Sequence, residues 1–498
     1  MSDLRERSRG NGDYAAANVE LPKVHLRING EKVLPKSGES WDHVNPVTGA
    51  VDATIPLADA AAVDNAVQHA HAAFDGWRRT APARRRELLL KLADLMEQHG
   101  DEIARLGTAE NGRPVRSGSA FAVLAAEWTR YYAGWADKII GEVTGSPQQD
   151  GELGYTMPQP YGVVGLVITW NAPLMSIAMK APAALAAGNT VVIKPSELTP
   201  FTGELFMDLV EAAGFPPGVV NLLPGTADAG QRLVTHPLVK KISFTGGLPT
   251  ATKILTACAE TAKPVVLELG GKSANIVLED ADLDAACAFN MGVAFGGLAG
   301  QGCGLPTRML VHESIHDEVV AKVRTLVNAI KVGDPTDPAT GYGPVISQGA
   351  VDRIMGMIER AVADGATLVV GGKRMDRPGY YIEPTVLTNV DSSSEIAQIE
   401  VFGPVVAITT FATDEEAIMI ANSTRYGLSS YIQTKDLTRA HRIAAELEAG
   451  EVLINGAPNL AVHRPFGGIG ISGVGKEGGR AGFEEFLRVK SVAIAIDR

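Results

Sequence analysis

The sequence predicts an α/β protein built on parallel sheets, in two α/β halves with a small accessory β element. Three observations carry that reading. Residues 161–196 read as strand, helix and strand within about 35 positions, the signature of a βαβ unit. From Glu268 to about Gly475, short β-rich runs again alternate with helical ones. The length of 498 residues fits roughly three domain-sized units.

In chain order, residues 1–20 are charged with no apolar segment behind them and read as a disordered tail, not a signal peptide. Residues 24–30 and 31–35 form a hairpin about Asn29-Gly30. Helical periodicity covers 58–78 and 82–106, the second opened by the solvated cluster Arg84-Arg85-Arg86. Residues 161–170 are a strand, 173–188 a helix closed by glycine despite Pro182, and 189–196 the second strand. Alternation continues through 201–213, 219–223, 231–236 and 241–244, with further strands at 307–311, 405–411 and 451–455. Residues 489–496 form an apolar terminal strand that must pair, within the chain or on another subunit.

Composition narrows the function. With 45% hydrophobic and 20% charged residues, the chain has ample core. The net charge of −12 is spread along it, which argues against nucleic acid or an anionic membrane as partner. No run of about 18 apolar residues occurs, so nothing is expected to span a membrane. Three cysteines make no disulfide framework, and a reducing, cytoplasmic compartment is expected.

The chemistry centres on Cys303, flanked by Gly302 and Gly304, which leave the sulfur little steric cover. Glu268 ends an apolar run just before Gly270-Gly271, as a partly desolvated general base would. A thiolate nucleophile with a separate base means acyl-transfer or aldehyde-oxidising chemistry. Cys258 and Cys287 lie in alanine-rich helical stretches and read as buried small hydrophobes.

Glu197 follows the second strand of the βαβ unit, where an acid accepts hydrogen bonds from adenosine ribose and repels a 2′-phosphate; a surface carboxylate is the equal alternative. No G-x-G-x-x-G follows residues 161–170, so the phosphate cradle is assigned to Phe244-Thr245-Gly246-Gly247, opening a helix. The literal matches at Gly468–Gly473 and Gly473–Gly478 read instead as a mobile or closely packed glycine loop. His312-Glu313-Ser314-Ile315-His316 fits a zinc-protease pattern, but His312 ends a strand and Ser314 with Asp317 reads as a helix N-cap box, so no metal is expected.

Seven segments then occur in one order: 170–174 (Trp-Asn-Ala-Pro-Leu), 193–201, 244–248, 267–276, 300–304 (Gly-Gln-Gly-Cys-Gly), 400–406 and 465–469. In these the chain resembles the NAD(P)-dependent aldehyde dehydrogenase superfamily over about residues 25–493. The resemblance implies an aldehyde-dehydrogenase-like fold. An NAD-binding domain would comprise 21–138 and 159–267, a catalytic domain 268–479, and an oligomerisation element 139–158 with 480–498.

It also implies roles. Cys303 would be the nucleophile, Asn171 an oxyanion donor beside the Cys303 N–H, Glu268 the base for hydrolysis, and Lys180 with Glu477 a proton route. NAD would lie against Thr169, Trp170, Lys194, Ser196, Glu197, Gly225, Phe244, Thr245, Gly246, Gly247, Leu269, Gly270, Glu400 and Phe402. A small-molecule aldehyde would lie against Ala172, Met175, Ser176, Met179, Gly297, Gly302, Leu460 and Phe466, in a homodimer or homotetramer.

Several positions depart from the family pattern. Ala172, Ser176, Met179, Gly297 and Leu298 stand where relatives carry larger or more polar groups, Leu305-Pro306-Thr307 follows the cysteine, and 457–464 lacks an aromatic or acidic clamp. A wide pocket of low charge is expected, suited to bulky or apolar aldehydes. Gly247 replaces a common serine at the phosphate turn. A semialdehyde dehydrogenase for charged substrates would need basic pocket residues, and Arg464 is the only candidate. Glu268 argues against a CoA-acylating variant, and Cys303, Asn171 and Glu268 together argue against a catalytically silent binding protein.

Overall fold

The computed structural model describes residues 19–145 and 151–496. The expected tail therefore falls, apart from Val19 and Glu20, outside the described residues, as do residues 146–150 of the 139–158 segment.

Asn29 and Gly30, both at positive φ, turn β1 (Leu26–Ile28) back along β2 (Glu31–Val33), as the Asn-Gly pair requires. A second hairpin, Ser40–Val44 with Val51–Pro56, carried no recognised signal. The expected helix over 82–106 is two. After α1 (Ala60–Arg79), α2 (Pro82–Gln98) stops at His99, and α3 (Gly100–Asn111) restarts at a glycine, a weak helix former. A further helix, α4 (Val115–Ala133), is unforeseen because Ser117-Gly118-Ser119 dilutes its apolar stripe. Gly118 has a packing reason: a Cβ there would stand 2.6 Å from the Ala104 Cα, so the glycine lets α3 and α4 touch.

The βαβ unit forms as expected, from β3 (Val163–Val167), α5 (Pro173–Ala186) and β4 (Thr190–Lys194). Then follow α6 (Phe201–Ala213), β5 (Val220–Leu222), α7 (Ala227–Thr235), β6 (Val239–Thr245), α8 (Leu248–Ala259) and β7 (Val265–Glu268). The sheet order is β2-β1-β5-β4-β3-β6-β7, with the two-residue strand Gly473–Val474 antiparallel on β7. From β5 to β7 all pairings are parallel, so these strands present their carboxyl ends along one edge. Every residue of β3, β4 and α5 is buried, which explains their continuous apolar runs.

The second sheet orders β10 (Thr367–Val370), β11 (Thr385–Thr388), β12 (Val405–Phe411), β9 (Arg308–His312), β8 (Ala274–Val277), β13 (Ser429–Gln433) and β14 (Glu451–Ile454), parallel except at β10. The terminal strand Leu487–Ala495 pairs antiparallel with Glu152–Pro160 in a ribbon outside both sheets. Val489 and Ile494 on that ribbon are exposed, with Ile140 and Val143 nearby in sequence. No helix among the described residues is long and apolar enough to cross a membrane.

His312 ends β9 and His316 opens the helix His316–Asn328, so the two histidines do not share a helix face. The expected cap box is absent. The Ser314 hydroxyl lies 2.8 Å from His312 Nδ1, Asp317 lies 2.9 Å from His316 Nδ1, and Ile315 sits at the helix N-cap.

Candidate active site

In a parallel sheet the loops leaving the carboxyl ends of the strands converge on one crevice. Here Thr169, Trp170 and Asn171 follow β3, Ser196 and Glu197 follow β4, Gly225 follows β5, Gly246 and Gly247 follow β6, and Glu268 closes β7.

At the crevice, Lys194 Nζ stands 3.5 Å from Glu197 Oε2, and burial holds the lysine below its ordinary pKa while Glu197 opposes the shift. The Ser196 hydroxyl accepts from Leu198 N–H at 3.2 Å. Gly225 is buried against Ala229, and the Phe244 ring packs on Gly246. Gly247 is the N-cap of α8 and makes no side-chain cap; of the first turn, Pro249 has no N–H and the Thr250 N–H bonds the Gly247 carbonyl at 3.2 Å, which leaves the Leu248 N–H without a side-chain partner. A Cβ at Gly247 would meet only Pro249, at 3.7 Å, and the turn faces solvent with room for an anion.

Across the crevice Glu400 accepts from Gly271 N–H at 3.0 Å, and Gly270 lies so close that a Cβ would overlap its carboxylate. Burial pushes the Glu400 carboxyl up to about 7, against the Gly271 bond and Lys272. Phe402, at φ +49°, sets its ring edge-on to Trp170 with centroids 5.4 Å apart. Leu269 is buried, its N–H donating to Ser472 O at 2.9 Å.

Cys303 lies half-buried in the loop between α9 (Leu283–Phe295) and β9. Its glycine neighbours are not the open flanks that the sequence suggested. A Cβ at Gly302 would stand 2.8 Å from Leu305, and one at Gly304 would stand 2.9 Å from Asn459 Nδ2. The glycines permit close packing of the loop, whose Gly304 carbonyl accepts from the Tyr431 hydroxyl at 2.6 Å. Burial, then Glu400 and Glu268, push the thiol up to about 12.

Glu268 is buried and neither carboxylate oxygen has a partner. Burial, then the Glu477 charge, drive its pKa well above the usual carboxylate value, with Lys180 opposing. Lys180 and Glu477 form an ion pair in which both side chains are buried. The glycine loop packs directly on this strand end, with Gly467 against the Glu268 carboxylate and Gly473 against the Leu267 carbonyl. Asn171 donates through Nδ2 to the Gln301 carbonyl at 2.8 Å, two residues before the cysteine, and its Oδ1 is buried without a partner.

Ala172, Met175, Ser176 and Met179 repeat at i, i+3, i+4 and i+7 and so share one face of α5. Met175, Met179 and Phe466 are buried in one apolar cluster, against which Cys303, Ala172, Leu460, Phe121 and Leu124 pack. Ser176 is buried there with an unpartnered hydroxyl. Gly297 does not join them: it sits at φ +77° against Ser117, beside a small void shared with Asn111, Arg113, Trp170 and Asn171. Arg464 is committed elsewhere, 3.0 Å from Glu451. Three neighbours of the site escaped the sequence reading. Tyr431 and Asn459 bond each other at 3.0 Å behind the cysteine loop, and Asn111 lies beneath Asn171; each sits in an ordinary strand, loop or helix end.

The aldehyde dehydrogenase family model matches residues 33–492. The chain is 40% identical over 485 residues to the cytosolic 10-formyltetrahydrofolate dehydrogenase of Xenopus tropicalis, covering 96% of this chain and 54% of that protein. It therefore spans about half the length of that curated relative. Among solved structures, an aldehyde dehydrogenase from Bacillus cereus in complex with NAD+ superimposes with a TM-score of 0.93 at 38% identity, covering 96% of this chain and 97% of that one. PnpE in complex with nicotinamide adenine dinucleotide gives a TM-score of 0.93 at 40% identity, with 96% and 98% covered.

Proposed function

The chain belongs to the aldehyde dehydrogenase family, and from that premise we propose that it is an NAD-dependent enzyme oxidising a bulky or apolar aldehyde to its carboxylic acid through Cys303. The observation that carries the substrate class is the single apolar cluster containing Met175, Met179 and Phe466, with Cys303, Ala172 and Leu460 packed on it.

The residues fit NAD. Glu197 beside Lys194 suits ribose hydroxyls, the uncapped α8 N-terminus at Gly246-Gly247 suits a pyrophosphate, and Glu400 with the Trp170–Phe402 pair suits the second ribose and its ring. When bound, NAD supplies the acceptor for the aldehyde hydride.

The chain's own groups do the rest. The Cys303 thiol releases its proton to solvent as the sulfur adds to the formyl carbon, and the resulting oxyanion is held by Asn171 Nδ2 and the Cys303 N–H, each worth roughly 10²–10³ in rate. Loss of hydride leaves a thioester on Cys303. Glu268, ionised, takes a proton from water, which releases the acid. The Lys180–Glu477 pair beside Glu268 supports its role as a route for that proton.

A charged semialdehyde is the less favoured substrate, since Arg464 is paired with Glu451. Assembly into a dimer or tetramer is supported by the exposed apolar residues of the 152–160 and 487–495 ribbon. The three unpaired cysteines support a reducing, cytoplasmic setting. The test is an aldehyde panel with NAD and with NADP. We expect kcat/KM to rise from acetaldehyde to aromatic and medium-chain aldehydes and to favour NAD. A peak on two-carbon aldehydes would refute the substrate class.

A further inference from the structure

Asn171 sits on an irregular stretch between β3 and α5, where no regular ladder fixes its backbone. Ala172, the next residue, is an N-cap with φ −149° and ψ 69° and no side-chain cap. Something outside this stretch must hold it. The Asn111 side-chain amide lies beneath it, and its Nδ2 donates to the Trp170 carbonyl at 3.3 Å and to the Asn171 carbonyl at 3.2 Å. A primary amide has two N–H donors, and here both are spent on consecutive carbonyls of the same turn. Its Oδ1 accepts from Arg113 N–H at 3.2 Å, which fixes the amide orientation.

The platform under Asn111 is itself rigid. Glu110, fully buried, accepts from Phe201 N–H at 2.8 Å and Thr202 N–H at 3.0 Å, clamping the end of α3 to the start of α6. Thr108 Oγ1 donates to the Arg113 carbonyl at 2.7 Å, and Gly112 closes the helix at φ +74° against Pro344. On the other side, the Gln301 carbonyl that receives Asn171 Nδ2 is held by its own side chain, which bonds Ile346 N–H at 2.9 Å and the Leu298 carbonyl at 3.1 Å. Asn171 is thus gripped by its backbone from α3 and by its side chain from the cysteine loop.

We propose that Asn111 is a positioning residue for the oxyanion site: it fixes the Trp170–Asn171 backbone so that the remaining Nδ2 proton of Asn171 meets the oxygen of the Cys303 adduct. This rests on the role given to Asn171 above. Asn111 touches neither substrate nor cofactor in this arrangement and acts only through Asn171. A sub-ångström loss of alignment at an oxyanion donor costs rate and not affinity.

The test is a double-mutant cycle on the full chain, with Asn111→Ala, Asn171→Ala and the pair. Asn111→Ala alone should lower kcat by about 10- to 10²-fold with KM for NAD unchanged, and should lower the melting temperature modestly, because it removes three hydrogen bonds of a buried side chain. In the Asn171→Ala background the same substitution should change kcat less than about twofold, because the donor it aligns is gone. Asn111→Gln, which keeps the carboxamide, should recover part of the loss. Multiplicative losses in the double variant would overturn the inference, as would an Asn111→Ala that keeps wild-type kcat. Should Asn111→Ala fail to fold, Asn111→Ser carries the same cycle. If Asn171→Ala alone retains full rate, the role of Asn171 falls and this inference with it.

Discussion

Lys180 and Glu477 form a buried ion pair beside Glu268, tying α5 to the glycine loop that closes over β7. Burial raises the pKa of Glu268 most, Glu477 adds to the rise and Lys180 opposes it, so the pair modulates how readily that base ionises.

Lys180→Met should act twice. It leaves Glu477 buried without its partner, which costs about 3–5 kcal/mol of stability. It also removes the charge that favours ionised Glu268, so the acidic limb of the kcat–pH profile should move to higher pH. Urea unfolding and a pH–rate profile read the two effects; an unmoved limb would uncouple the pair from the base.

Glu268→Gln should alter stability in a pH-dependent way. The folded protein holds the Glu268 proton more tightly than the unfolded chain does, whose value is near 4.5. The stability it contributes is therefore fully present below 4.5 and is lost as pH rises through the raised folded value. The glutamine variant escapes that loss. Its melting temperature should exceed wild type at pH 8 and match it near pH 4, and equal differences at both would contradict the assignment.

The Cys303 thiol, pushed up to about 12 by burial and by Glu400 and Glu268, should react slowly with iodoacetamide at pH 7 in the NAD-free protein. Glu400→Gln removes a carboxyl group, raised to about 7, that is charged at pH 8, so the thiol pKa should fall and alkylation at pH 8 accelerate. Mass spectrometry of the peptide carrying Cys303 gives the rate; slower alkylation in the variant would reverse the sign of the argument.

Gly247→Ser should be tolerated and should tighten NAD. The position has ordinary φ of −82°, open space around its Cβ, and the N-cap place on α8. A serine there adds a hydroxyl at the phosphate turn; Pro249 has no N–H and the Thr250 N–H already bonds the Gly247 carbonyl at 3.2 Å, so at most a few tenths of a kcal/mol is gained in stability. Fluorescence titration with NAD checks it, and a weaker dissociation constant would place the pyrophosphate elsewhere.

The sequence was most legible where period and punctuation agreed. β3, α5 and β4 are wholly buried and read as apolar runs, the helical one closed by Gly188, and β12 matches its expected residues at both ends. It was least legible where tertiary contact overrides local pattern. Gly118 hid α4 because its purpose is contact with Ala104, and Gly302 and Gly304 suggested exposure where they serve close packing. The upward shift of the Cys303 thiol was missed for a related reason: it comes from burial first, then from Glu400 and Glu268, which are distant in sequence. Asn111 reads locally as the end of a helix, and its bonds to Trp170 and Asn171 join segments about 60 positions apart.

The most direct test of the chemistry is the mass of Glu268→Gln after brief mixing with NAD and benzaldehyde. The account predicts about one NADH per subunit in a burst, with a benzoyl group retained on the peptide containing Cys303. Burst NADH with that peptide unmodified, or the acyl group on another residue, would contradict it.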